Sequence, residues 1–183
     1  METEEAKEFI KQNVGNKKII LHMLAVAAIM RELAEYFGED AEKWELTGLL
    51  HDIDYEKTKE NPERHGLEAE NILKNKVPPE VIRAIKAHNF EYTGIKPETR
   101  MEKALIAADA VSGLIIASAL VMPHKKLEEV RIKTLENKFK QKDFARNVRR
   151  ERIMFCEDIG LPREKFFEIA LNALRKISGE LGL

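Results

Sequence analysis

From Ala104 to Met122 the chain runs 19 residues without a lysine or arginine, and a single carboxylate, Asp109, sits inside that run. Length alone would let the segment cross a bilayer. A carboxylate deep in hydrocarbon costs roughly 2.5 to 3.5 kcal/mol on insertion scales, however, and Ser112, Gly113 and Ser118 share the segment. The pattern predicts the buried central helix of a helical domain rather than a membrane span. One consequence follows at once. An ionised Asp109 among apolar side chains needs a positive partner, and its own helix offers none.

The rest of the chain keeps the same period. Apolar residues recur at intervals of three and four, and Leu, Ala, Glu, Lys, Ile and Arg dominate, so the fold class is all-α. Helices are expected over about 2–13, from an Asn16 cap to Gly38, over 39–53, from an Asn61 cap and Pro62 to Asn75, from Pro78 and Pro79 to His88, and over 100–121. The stretch EYTGIKPET reads as a loop. Two or three amphipathic helices fill 123–183, one of them carrying Phe144, Val148 and Phe155 as an apolar stripe. At 183 residues the chain is sized for one domain, 1–183.

Thirty-one basic residues against 32 acidic ones leave a net charge of −1, so no global field favours nucleic acid or an anionic membrane as partner. The lone Cys156 excludes an internal disulfide and a multi-thiolate zinc site. The opening METEEAKEF is acidic where a secretion signal starts with positive charge, so a cytoplasmic location is expected.

Five histidines occur, at 22, 51, 65, 88 and 124. Taken singly, a histidine such as His22, inside IILHMLAVAAIM, is more often a hydrogen-bonded core residue than a ligand. His51-Asp52, closing the apolar run LTGLLHDID, is a dipeptide that chance alone often produces. Its context sharpens it. Asp52 at the end of an apolar helix and Asp109 inside another are both costly unless a cation compensates, and a neutral imidazole beside a carboxylate is a common metal ligand.

Taken in order, His22, then His51-Asp52, then Asp109, all on helices, resemble the signature of the HD-domain phosphohydrolase superfamily. His65 and His88 fall between the pair and the last Asp, as in the members that bind two metals. The resemblance spans about residues 20–120, leaving about 123–183 as a C-terminal helical extension, and is greatest to small stand-alone hydrolases, including iron-dependent enzymes that split diadenosine polyphosphates. It implies that Asp52 bridges two ions, that the histidines divide between them, and that Asp109 ligates from the central helix. A hydroxide held between the ions then attacks the phosphoryl group of a nucleotide or dinucleotide. Many two-metal members carry a Lys where this chain has Tyr55, in HDIDYEK, so Lys57 or Lys59 is the nearest replacement as a phosphate contact.

Four imidazoles and two carboxylates without a thiolate suit Fe, Mn, Co, Ni or Zn better than Ca or Mg. Asp52 and Asp54 are the expected catalytic carboxylates, Asp54 by orienting a ligand or water. Between 131 and 152 nine basic residues meet three acidic ones. Arg146, Arg149 and Arg150, at helical spacing, join Lys57 as candidate contacts to a small-molecule phosphate. The rivals are a one-metal nucleotidase in which His65 and His88 only support the site, a helical module that binds metal or nucleotide without turnover, and, less favoured, a di-iron oxygenase.

Overall fold

In the computed structural model, which describes residues 1–183, the chain is built of helices joined by turns and short irregular connections, and there is no β-strand. Helix α1 (Thr3–Asn13) is followed by α2 (Lys17–Phe37). Asn16 opens α2 by accepting from the Lys18 amide, and Gly38 closes it in the left-handed region. Asp40 caps α3 (Ala41–Leu50), which stops three residues short of expectation, because the chain turns through 51–54 into the single helical turn α4 (Tyr55–Thr58).

The expected helix from Asn61 to Asn75 is divided. A 3-10 turn (Pro62–Arg64) precedes α5 (Leu67–Leu73); His65 between them is extended, and Gly66 has φ +88°. Asn61 makes no capping bond. The free amides at the start of α5, Gly66 N and Ala69 N, are instead satisfied by the Asp54 carboxylate at 2.8 and 2.9 Å. A β-carbon on Gly66 would lie 3.1 Å from the Ile85 carbonyl, so glycine meets both the dihedral and the close approach.

Next come α6 (Pro79–His88), a turn α7 (Phe90–Thr93) inside the expected loop, and the central α8 (Arg100–Leu120). A capping box starts α8: Thr99 Oγ1 accepts from Glu102 N, and Glu102 accepts from Thr99 N. Arg83 of α6 pairs with Glu102. Beyond a 3-10 turn (Leu127–Glu129) lie α9 (Ile132–Lys140), α10 (Arg150–Ile153), α11 (Phe155–Asp158), α12 (Arg163–Lys176) and α13 (Ser178–Leu181).

No single helix carries Phe144, Val148 and Phe155. Residues 141–149 form a non-helical turn with Ala145 at φ +46°. The three side chains pack on the main core all the same. The Arg150 guanidinium shapes this turn by donating to the carbonyls of Lys138, Phe139, Gln141, Phe144, Ala145 and Val148.

Two apolar clusters hold these elements. The larger joins α2 and α8 to the C-terminal helices, with Leu105, Leu114, Phe166, Phe167 and Leu174 fully buried; the smaller joins α1, α3, α5 and α6 to the other face of α2. Each large aliphatic side chain so buried contributes about 1.5 to 3 kcal/mol. Helix α8 is long and apolar enough to cross a membrane, and here it lies inside the larger cluster. Helices α2 and α3 approach so closely that a β-carbon on Gly48 would meet the Ala27 backbone at 2.8 Å. That contact sets where the end of α3, and so His51, can lie.

Candidate metal centre

Elements of both clusters bring their polar groups to one place. His22 comes from the first turns of α2, His51-Asp52 from the end of α3, His65 from the break before α5, His88 from the last residue of α6, and Asp109 from the middle of α8. Helix ends and a backbone break suit this task, because burying a polar side chain there displaces little apolar packing.

Every imidazole is anchored through Nδ1. His51 Nδ1 donates to the Gly48 carbonyl at 2.7 Å, His88 Nδ1 to the Ile85 carbonyl, and His65 Nδ1 to Asp54 Oδ1 at 2.9 Å. Ser112 Oγ donates to the Asp109 carbonyl at 2.8 Å, so it accepts from His22 Nδ1 at 3.2 Å. With all four Nδ1 atoms carrying the proton, the four Nε2 lone pairs face inward. They converge closely. His22 Nε2 is 3.2 Å from His51 Nε2, and His65 Nε2 is 3.0 Å from His88 Nε2.

Asp52 lies between these pairs. Its Oδ2 is 3.7 Å from His22 Nε2, and its Oδ1 is 3.5, 3.3 and 3.7 Å from the Nε2 atoms of His51, His65 and His88. Two groups of potential ligands result, His22–His51–Asp52 and Asp52–His65–His88, each with its ligating atoms within 4.8 Å of one another. Asp109 Oδ1 adds to the first, 3.1 Å from His22 Nε2 and 3.9 Å from His51 Nε2.

Two lone pairs aimed at each other across about 3 Å repel unless a cation or a proton lies between them. The donor set of buried imidazoles and carboxylates without thiolate therefore fits borderline divalent ions. The protonation pattern agrees. Burial pushes His51 down to about 4. In His65 burial opposes charge as well, but hydrogen bonds to Asp52 and Asp54 outweigh it and raise the ring to about 10. Burial likewise opposes charge in His22, and the bond to Asp109 overcomes it, raising the pKa. Burial also works against ionised Asp52 and Asp109, yet the surrounding imidazoles hold both well below the ordinary carboxylate range. One histidine of each facing pair thus takes the proton that a metal would displace.

Asp54, expected among the catalytic carboxylates, is fully buried and spent on His65 Nδ1, Gly66 N and Ala69 N. It orients a ligand and caps α5 without reaching the cavity. The candidate phosphate contacts fare unevenly. Lys57 is exposed and lines no part of the cavity; Arg146 stands 79% exposed beside Asp143. Arg150 is consumed by backbone carbonyls, as the turn 141–149 requires. Arg149 is bonded to Glu91 at 2.6 Å and lines a neighbouring cavity of about 250 Å³. His124 pairs with Glu129 on the surface, away from the centre.

The cavity over the centre, about 360 Å³, also exposes Lys18, Tyr55, Asn89 and Arg152. Tyr55 meets the His65 ring edge-on at 5.5 Å. Sequence reasoning missed Lys18, Asn89 and Arg152. Arg152 belongs to the basic stretch 131–152, but nothing in that stretch singles it out from eight other cations.

A model of the HD domain family matches residues 19–114, just over half of the chain and the stretch that supplies all six site residues. Among curated proteins, Ribonuclease Y of Lawsonia intracellularis is 33% identical over 98 residues, covering 53% of this chain and 18% of that protein. Ribonuclease Y of Nitratidesulfovibrio vulgaris is 31% identical over 123 residues, covering 67% of this chain and 22% of that protein. The chain thus spans about a fifth of the length of these relatives. No solved structure gives a significant match.

Proposed function

The chain belongs to the HD domain family of metal-dependent phosphohydrolases, and we propose that it hydrolyses a phosphate ester or anhydride of a small molecule, a nucleotide or dinucleotide, using two divalent ions. The observation that carries this reading is the pair of facing Nε2 couples, at 3.2 and 3.0 Å, with Asp52 between them. His22, His51 and Asp109 would hold one ion, His65 and His88 the other, and Asp52 would serve both. Bound there, divalent ions would supply an acidified water as nucleophile and positive charge for the phosphoryl oxygens.

The chain's own groups do the positioning. Gly48 O, Ile85 O, Ser112 Oγ and Asp54 Oδ1 keep each imidazole in the tautomer that presents Nε2. Asp52 is 9% exposed and His51 and His88 are buried, so bulk water reaches the centre only from the cavity side. With no nucleophilic Ser or Cys beside the centre (Ser112 is bonded on both sides), attack by water is the consistent route. The near-zero net charge favours a small substrate over a long polyanion. The name of the relatives makes a short oligoribonucleotide the second reading.

The test is metal analysis of the purified protein, followed by assay of the metal-loaded form on an aryl phosphate, mononucleotides, dinucleoside polyphosphates and a short oligoribonucleotide. Turnover lost on chelation and restored by a divalent ion is expected. Metal-loaded protein inert on the whole panel with several cations would leave a binding module. His65→Ala and His88→Ala that keep full metal content and turnover would reduce the centre to one ion.

A further inference from the structure

Most cations that the sequence offers as phosphate contacts are turned elsewhere, and the centre's wall is finished by a residue from outside the matched family segment. We propose that Arg152, delivered by α10 of the C-terminal extension, is the substrate-contacting residue that grips the phosphate; the proposal rests on the phosphohydrolase reading above.

Arg152 is placed for it. Its side chain is 13% exposed, and with His22 and Asp109 it lines both the cavity over the centre and the adjoining one. The guanidinium donates to the His88 carbonyl, reaches Glu91 Oε2 at 3.4 Å, and stands 3.7 Å from Asp109 Oδ2. Its Nε is the sole buried side-chain nitrogen or oxygen in the protein without a hydrogen-bond partner. Both terminal nitrogens are thus tied to protein acceptors, Nη2 to the His88 carbonyl and Nη1 loosely to Glu91, and each keeps a second N–H on a side chain that lines the cavity, while the buried Nε adds a donor without an acceptor.

The local charge points the same way. One carboxylate, Glu91, is shared by Arg149 at 2.6 Å and Arg152 at 3.4 Å. Asp109, the other acid near Arg152, is already bonded to His22 at 3.1 Å. Arg149 has a second carboxylate of its own, Glu151 at 2.8 Å, so Arg152 is the one of the two arginines whose carboxylate neighbours are all shared or already engaged, and it stands beside the ligand cluster. Lys18, the other cation lining the main cavity, is exposed and on a flexible stem, whereas the Arg152 fork is held in place and matches the spacing of phosphate oxygens. Glu91 is the positioning residue that keeps the two arginines side by side.

The experiment titrates inorganic phosphate into the metal-loaded protein by calorimetry, for wild type, Arg152→Lys and Arg152→Gln, with metal content and Tm measured on each. Orthophosphate affinity should fall about 10-fold in Arg152→Lys, which keeps charge but not the fork, and about 100-fold in Arg152→Gln, with metal content unchanged. Wild-type affinity in Arg152→Gln would overturn the proposal. So would a fall in metal content in step with phosphate affinity in both variants, since Arg152 would then act by holding His88 and Asp109 in place. If wild type hydrolyses no phosphate ester, phosphate binding still reports on this contact, so the two proposals fail separately.

Discussion

Asp54→Asn changes one atom type and should disable half of the centre while leaving the fold in place. In the wild type Oδ2 accepts from Gly66 N and Ala69 N, and Oδ1 accepts from His65 Nδ1. An asparagine keeps the two backbone bonds only by leaving its oxygen toward α5, which turns the amide NH₂ toward His65 Nδ1. Two donors then face each other. The neutral ring, the form that would bind a metal, relieves this by carrying its proton on Nε2 instead of Nδ1, which removes the lone pair that faces His88. Loss of a charge-assisted bond at a buried site should cost about 1.5 to 3 kcal/mol of stability. Asp54→Ala, which strands two buried amides at about 1 to 3 kcal/mol each, should cost about 2 to 6.

Metal affinity separates orientation from stability. Removing an outer partner of a ligating histidine typically weakens binding about 10- to 100-fold. Competition against a chromogenic chelator should show that loss for one of two ions in Asp54→Asn, the site formed by His22, His51 and Asp109 being retained. A variant that binds both ions with wild-type affinity would refute the claim that Asp54 acts through the His65 tautomer, whatever its melting temperature.

Metal binding at pH 7 should release about one proton from His65, whose pKa is raised to about 10, and a further share from His22, which is also raised; calorimetry in buffers of different ionisation enthalpy counts them. The charge on His65 stabilises the apoprotein fully below the ordinary value of 6.5, and that contribution is lost as pH rises through about 10, so apoprotein unfolding followed from pH 7 to 10 should show the decline. Gly48→Ala should destabilise by about 1 to 3 kcal/mol in denaturant unfolding, because the new methyl group meets Ala27 backbone rather than a movable side chain. Burial opposes the charge on Glu102, yet Arg83 and two backbone amides keep its pKa below the ordinary 4.5. Its contribution is therefore full above 4.5 and lost as pH falls through the lower folded value. Glu102→Gln should cost about 1 to 2 kcal/mol at pH 7, and the gap to wild type should close in acid unfolding curves.

Much of the site was legible because its chemistry is out of place in its local setting. Asp109 within an apolar helix and Asp52 beside His51 mark a need for positive charge by their positions, and the resemblance to the HD-domain superfamily added His65 and His88 to the set. Asp54 was legible as a partner of some ligand. Its partner was not, because His65 and Gly66 meet it only through the break between the 3-10 turn and α5, where local signals favour one continuous helix from Asn61. The arginines misled for a related reason. Spacing of three and four puts Arg146, Arg149 and Arg150 on one face only if 141–149 is helical, and Arg150 holds that segment in a turn by satisfying carbonyls from both flanks.

What the linear chain determines here is what periodicity and burial cost can express: an all-helical fold, a buried central helix, and two acids that need positive charge. Which lone pairs meet, which arginine reaches the cavity, and which acid orients which ring depend on contacts between residues 11 to 90 positions apart. Such contacts leave no local pattern in the chain; they exist only once packing of α2 against α3 and α8 has set the distances.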